Sequence, residues 1–435
     1  MQRLSVFPDD LLLLIFDALA SGDPIPWPDA SYDQDRAQVP FKLSAICRHW
    51  RQISRSKSSL WTYFGSPSDP VPALHRAHLN RLRLIQTLSK NQPLDVVFHT
   101  NVYHDLENDD NARWRYRAQI VDLLNGVALR WRSAALRLPH SLASRMDSAM
   151  RGDCPHLIFL SIWFKHGMKS LPRAPRLTHL YLECYSLRLA NHEVGTYVPS
   201  LTSLATQSSN PTIHEKLITA SCAGLLDLHI LERFWNTTMT PFELPCLKSL
   251  TLNDGEFMPF INAPQLQQLA LNCGGLHSRL APAAAHFSRI KHLILYGRID
   301  HISADVLAEF SFIDSLTLDT PPVVRWGLNY ERPQIHRFFF SKLVDHVPLV
   351  WPMLEHIRLG NLDFENYCWT TKKLGSDMGV AGLISFLHGR MSVEHLTHGT
   401  DQLVQPVNLR TIELCPSQAG MSGFELLWTL KKGVV

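Results

Sequence analysis

The chain lacks any stretch approaching 18 uninterrupted apolar residues, so no transmembrane helix is expected. It also lacks a strong charge of either sign: 42 Lys and Arg stand against 39 Asp and Glu, a net +3. That balance gives no push toward nucleic acid or a membrane surface. Cysteine is sparse, with eight residues (47, 154, 184, 222, 246, 273, 368 and 415), no C-x-x-C pair and no regular framework. A disulfide scaffold is excluded, and the cysteines read as reduced thiols in apolar positions, which suits a cytoplasmic or nuclear setting. HExxH, GxSxG, G-x-x-x-x-G-K-S/T and G-x-G-x-x-G are all missing. The 22 histidines are scattered. His75/His78 and His395/His398 have i, i+3 spacing, but no Cys or carboxylate set accompanies them. Asp109–Asp110 lies in a polar tract, HDLENDDN, that reads as a solvated loop. The expectation is a protein without catalytic residues, cofactor or metal.

What is present is enough apolar side chain, 45%, for one elongated domain or two to three compact ones over 435 residues. Residues 6–20, VFPDDLLLLIFDALA, superficially suggest a secretion signal. Pro8, Asp9 and Asp10 stand between Arg3 and the leucines, and the unbroken apolar run, Leu11 to Phe16, is six residues. An amphipathic helix is the better reading. Pro8 suits a first helical turn, and Asp9 and Asp10 favour the positive end of the helix dipole. Leu11, Leu12, Ile15, Phe16 and Leu19 fall at helical spacing on one apolar face, which Leu13 and Leu14 widen. That is more apolar surface than one small core requires, and it suggests a partner. A proline-rich stretch over 20–40 breaks the helix. A second helix is predicted over KLSAICRHWRQISRS (42–56), then a short turn at SSLWTYF with Ser58 or Ser59 as cap.

These residues resemble an F-box. FPDDLLLLIFDAL is similar to its opening, Leu-Pro-x-Glu-Leu/Ile-Leu-x-x-Ile-Phe-x-x-Leu, and AICRHWRQISRSKSSLW to its second half, Val-Cys-x-x-Trp followed by Leu-Trp. Phe7 stands where the family has Leu, Asp10 replaces Glu and Ile46 replaces Val, while Pro8, Leu11, Leu12, Ile15, Phe16, Leu19, Cys47, Trp50, Leu60 and Trp61 match. The proline-rich spacer is longer than the family's, as in fungal F-box proteins with leucine-rich tails. The resemblance implies a small three-helix module that binds a Skp-type adaptor and through it a cullin. The adaptor contacts it implies are Phe7, Pro8, Leu11, Leu12, Ile15, Phe16, Ile46, Cys47, Trp50, Leu60 and Trp61.

From residue 150 onward a unit recurs, apolar-x-x-apolar-x-apolar: LIFLSI (157–162), LTHLYL (177–182), LTSLAT (201–206), LLDLHI (225–230), LKSLTL (247–252), LQQLAL (266–271), IKHLIL (290–295), IDSLTL (313–318), LEHIRL (354–359) and LRTIEL (409–414). Successive starts from 157 to 313 differ by 20, 24, 24, 22, 19, 24 and 23, the period of leucine-rich repeats. Positions 1, 4 and 6 of each unit should face a core, with the residues between them lining a parallel sheet's open face. The family's Asn or Cys three residues after the final Leu is replaced by Gly255, Gly274 and Arg298, so irregular coils without an asparagine ladder are expected. Cys184 and Cys273 should face inward. IHRFFF (335–340) reads as a degenerate repeat and GVAGLISFLHGRM (379–391) as an insertion or enlarged return helix.

Between the two parts, helical patterns over 66–92 and 118–130, a strand at PLDVVFH, and RWRSAALRLP with the strand of an opening repeat form a cap. The expected organisation is an F-box domain at 1–66, a helical and strand cap at 67–150 and an irregular leucine-rich-repeat solenoid at 151–435. The fold class is α/β, a three-helix module followed by a curved solenoid with a parallel sheet. Trp114, Tyr116, Trp131, Trp163, Trp235 and Trp351 read as strand-end or cap aromatics, or as anchors for a ligand protein where they reach the concave face. The expected role is a substrate receptor of a Skp–cullin–F-box ubiquitin ligase, holding an unknown protein substrate. The alternative is a leucine-rich interaction scaffold unconnected to ubiquitin.

Overall fold

The computed structural model describes residues 8–20, 31–67, 71–100, 111–164, 170–184, 199–208, 211–231, 241–253, 255–273, 289–299, 304–321, 334–335, 339–346, 350–360, 363–364, 382–383, 385–387 and 409–414. The chain is mixed α/β and forms two compact units, Met1–Ser221 and Cys222–Val435.

The first unit opens with three helices, α1 (Asp9–Ala20), α2 (Gln34–Ile46) and α3 (Arg48–Ser56). Pro8 does open α1, its carbonyl accepting from the Leu12 amide at 3.1 Å. The next two helices differ from the expectation in both boundaries. Asp33 caps α2, its Oδ1 accepting from the Arg36 amide at 2.9 Å, so the last residues of the supposed breaker are helical. Pro40 lies inside α2, where it forfeits one intrahelical bond. Burial of Ala37, Pro40 and Leu43 offsets that loss. The single helix expected over 42–56 is split at Cys47, whose extended backbone (φ −156°, ψ 174°) and Sγ cap the Trp50 amide at 3.4 Å. A 3₁₀ turn, Ser58–Trp61, follows. Neither serine caps it; Ser59 Oγ donates instead to Asp17 Oδ1 at 3.2 Å.

Six consecutive parallel strands come next: β1 (Tyr63–Ser66), β2 (Leu94–His99), β3 (Trp131–Leu138), β4 (Phe159–Phe164), β5 (His179–Cys184) and β6 (Ser203–Gln207). Helices α4 (His75–Leu88) and α5 (Asn111–Gly126) lie on the crossovers of the first three strands, and α6 (Pro211–Ser221) follows β6. The buried ladder Phe64–Val96–Ala134–Leu160–Leu180–Leu204 runs through all six strands. The sheet therefore begins at residue 63, well before the first recognisable repeat. Trp61, two residues ahead of β1, packs into the amino-terminal helices. It is buried, its indole N–H donates to the Ser54 carbonyl at 2.8 Å, and its ring meets Phe41 edge-on at 5.2 Å.

The sheet's opposite face is covered at this end. Ala37 of α2 packs with Tyr63, Val97, Ala135 and Phe159, and Tyr32 joins them. Gly65 is required beneath this cover: a Cβ there would stand 2.5 Å from the Tyr63 ring and 2.9 Å from the Tyr32 ring. The Tyr63 hydroxyl accepts from the Asp33 amide at 2.8 Å.

The second unit contains β7 (Asp227–Ile230), β8 (Phe242–Glu243), β9 (Ser249–Leu252), β10 (Ile261–Asn262), β11 (Gln268–Asn272), β12 (His292–Tyr296), β13 (Arg298–Ile299), β14 (Ser315–Leu318), β15 (Gln334–Ile335), β16 (His356–Leu359), β17 (Asp363–Phe364) and β18 (Thr411–Leu414). Its main sheet runs β7-β9-β11-β12-β14-β16-β18, all parallel. β8 pairs with β10, and β13, β15 and β17 form a smaller sheet.

In every repeat of either unit the strand begins at the third residue of the six. From LIFLSI to LEHIRL, positions 1, 4 and 6 are buried without exception, including Thr206. The alternation has the period of a strand, and a shift of one residue would turn the whole set toward solvent.

IHRFFF is not a repeat. Ile335 belongs to β15 of the small sheet, Phe339 and Phe340 begin a helix, α8, after the five-residue α7 (Ala304–Ala308), and β14 pairs directly with β16. In α8 (Phe339–Val344) Phe339, Phe340 and Leu343 are buried, so this segment is an enlarged return. Within 379–391, residues 382–383 and 385–387 are helical, and Phe386 packs 5.6 Å from Phe340. A short asparagine pair exists one residue past the final Leu: Asn272 Nδ2 donates to Asn253 Oδ1. Gly297 (φ +74°) passes so close that a Cβ would meet Asn272 Oδ1 at 2.2 Å.

Candidate functional site

The first helix divides its apolar residues between two faces. Leu12 and Phe16, four apart, turn inward and are buried, Phe16 meeting the half-buried Trp50 edge-on at 5.2 Å. Leu11, Leu14, Ile15 and Leu19 turn outward, with 47, 65, 41 and 52% of their surface exposed. Their spacing of three and four residues makes one stripe along the helix. The single face expected from the spacing is thus two.

Polar contacts flank that stripe at both ends. Asp9 Oδ1 meets His49 Nε2 at 2.9 Å, and Asp17 meets Lys57 Nζ at 2.8 Å as well as Ser59. Ile46, 58% exposed, and the exposed Cys47 stand just ahead of the helix that carries His49 and Trp50. Cys47 departs from the reading of the cysteines as apolar-position thiols, because its sulfur caps a surface helix. Cys154 and Cys273 do face inward. The Cys184 side chain lies outside the described residues.

Among the residues that the F-box resemblance puts against an adaptor, the structure separates two groups. Pro8, Leu11, Ile15, Ile46 and Cys47 are exposed. Leu12, Phe16, Leu60 and Trp61 are interior and hold the helices together, and Trp50 is half-buried on Phe16. Phe7 lies outside the described residues. Leu14 and Leu19 were not among the expected contacts, although helical spacing from Leu11 and Ile15 already placed them along the same stripe.

Elsewhere several titratable groups are engaged within the fold. His75 stacks on Tyr116 at 4.0 Å, and the Tyr116 hydroxyl bonds His78 Nδ1 at 2.6 Å, so this histidine pair is taken up by an aromatic. Burial and the Arg81 charge push His78 down to about 4. His395 and His398 lie outside the described residues, as do Asp109, Asp110 and Trp235. Trp131 and Trp351 are core residues, while Trp163 is buried under Arg137, whose guanidinium lies 4.4 Å from the ring. Trp114 is the exposed one, beside Arg145.

On the second unit's open face three imidazoles meet hydroxyls of the neighbouring strand. His229 bonds Thr251 at 2.8 Å, His292 Nε2 bonds Thr317 at 2.8 Å and His356 bonds Thr411 at 2.6 Å. These pairs tie strands together. Burial pushes His229 down to about 4, a poor base at neutral pH, and the other nitrogen of His292 meets Gln268 Oε1 at 3.1 Å, not a carboxylate. No group of three His, Cys, Asp or Glu side chains is placed to hold a metal among the described residues, and none of their helices is long and apolar enough to cross a membrane.

The chain matches no protein-family model, and no curated protein matches it.

Proposed function

We propose that this chain is a substrate receptor of a Skp–cullin–F-box ubiquitin ligase, with α1 docking on the adaptor and the leucine-rich array holding a protein target. The observation that carries the reading is the uncovered stripe Leu11–Leu14–Ile15–Leu19, together with the exposure of Ile46 and Cys47. Removing one such aliphatic side chain from water stabilises a complex by roughly 1.5–3 kcal/mol. Four on one rigid helix, set in an F-box-like order of residues, suit a helical partner with an apolar groove. The receptor performs no bond chemistry. It raises the local concentration of a target lysine near the ubiquitin-carrying enzyme.

The test is co-purification of a Skp-type adaptor with the full chain. Leu11→Asp with Ile15→Asp leaves the interior untouched and should abolish recovery. Equal recovery of wild type and variant would remove the docking proposal.

A second reading, a leucine-rich scaffold unconnected to ubiquitin, has its own support. The amino-terminal helices cover the open face of β1–β4, as a cap would. Deleting residues 1–66 would remove β1 and unfold the unit under either reading, so the surface substitution is the discriminating experiment.

A further inference from the structure

We infer that the carboxyl-terminal unit carries a docking groove for an extended peptide whose acidic and basic residues are segregated on either side of a large apolar one. The groove, of about 750 Å³, is formed by the turns that lead into β11, β12, β14 and β16. Each turn presents the residue before and the residue after the first core position of its repeat. Arg289 and Lys291 flank Ile290, Phe312 and Asp314 flank Ile313, and Met353 and Glu355 flank Leu354.

Two features separate this edge from an ordinary polar rim. Phe312 is 60% exposed and Met353 37%, and they occupy equivalent places in neighbouring turns, making one apolar patch. The charges are sorted, both cations on the β12 turn and the carboxylates on the β14 and β16 turns. Backbone bonds hold the order: the Asp314 amide donates to the Lys291 carbonyl at 2.9 Å, and Glu355 to Asp314 at 2.8 Å. Lys291 and Asp314 have no ion-pair partner among the described residues, whereas Glu355 is met by Arg410 at 3.2 Å.

Strand spacing sets the length of the occupant. Neighbouring strands lie ~4.8 Å apart, so the β12 and β16 turns are ~10 Å apart, about three residues of extended chain at ~3.3 Å each. A peptide lying across the turns, acidic end on Arg289 and Lys291 of the β12 turn, apolar side chain on Phe312 and Met353, and basic end on the carboxylates of the β14 and β16 turns, Asp314 and Glu355, satisfies each in turn. Sorted charge of this kind fixes the register and direction of the bound chain. The groove is independent of α1, and its test does not depend on adaptor binding.

The experiment is fluorescence polarisation on the full chain with labelled peptides containing Glu-Glu-Leu-Lys-Lys or the reverse, Lys-Lys-Leu-Glu-Glu. The control is Glu-Lys-Leu-Glu-Lys, of the same composition. One block-charged peptide should bind about tenfold more tightly than the control, a difference of ~1.4 kcal/mol. That binding should weaken at high salt. Arg289→Glu with Lys291→Glu should remove the preference, and so should Phe312→Ser, a change at an exposed site that the fold does not need. Leu11→Asp with Ile15→Asp should leave it intact. Equal affinity for block and control peptides, no saturable binding of any of them, or binding unmoved by both groove variants would overturn the inference.

Discussion

Arg36 of α2 reaches across the open face of the sheet and meets Asp95 of β2 at 2.6 Å, in a place where both side chains are nearly sealed from water. Asp95 is also met by Arg132 and, at 2.7 Å, by the Ser133 hydroxyl. Burial pushes the carboxyl up, but the Arg132 hydrogen bonds and charge, the Arg36 charge and Ser133 outweigh it and hold it below its ordinary range. This cluster fastens α2 to β2 and β3.

Asp95→Asn should therefore destabilise the protein by about 3 kcal/mol at neutral pH, because Arg36 is left buried without its counter-charge. A carboxylate with a depressed pKa contributes stability that is present above its unfolded value and lost as pH falls through the folded one. The gap between wild type and variant, read by denaturant titration, should stay open at pH 5 and close only below about 4.

Gly65→Ala should cost about 1–3 kcal/mol, since the new methyl group overlaps the Tyr63 and Tyr32 rings. If the overlap is the cause, the same substitution combined with Tyr32→Ala should cost less than the two changes added together. Full additivity in a double-mutant cycle would show that the rings and Gly65 do not interact.

Leu11 and Leu12 are adjacent in sequence and opposite in consequence. Leu12→Ala should lower stability by about 2–5 kcal/mol, whereas Leu11→Ala should change it by less than about 0.5 kcal/mol. Thermal unfolding of both variants checks the division of α1 into an inner and an outer face.

Burial pushes the imidazoles of His99 and His214 down to about 4, with the Arg137 charge contributing at His99. The unfolded chain takes up these protons near pH 6.5, so stability is whole above about 6.5 and declines as pH falls toward 4. His214→Gln retains an N–H that can serve the Ser208 carbonyl, which the His214 Nε2 meets at 2.8 Å. It should flatten part of that decline in a stability-versus-pH series.

The repeats were legible because strand periodicity is local. Leu250 pairs in register with Leu269 and Leu228, as alternation alone requires. PLDVVFH and RWRSAALRLP already marked β2 and β3, and among the first three strands β1 was the one not read. β1 offers Phe64 and Ser66 where later units have leucines, and Gly65 faces a tyrosine cover that no period encodes. Asp33 and Cys47 set the ends of α2 and α3 through side-chain bonds that fall inside a proline-rich stretch and an apparently continuous helix. At the candidate site, spacing identified an apolar helix but could not tell which side Phe16 and Trp50 would claim. That depends on long-range packing.

In the second unit each main-sheet strand lies beside the one most recently made, from β7 through β18. A ribosome emitting this chain therefore supplies each main-sheet strand after β7 with its template already in place, and none of these has to wait for a distant partner. Growth of that kind keeps the search for contacts short, and leaves one unpaired edge moving along with the nascent end.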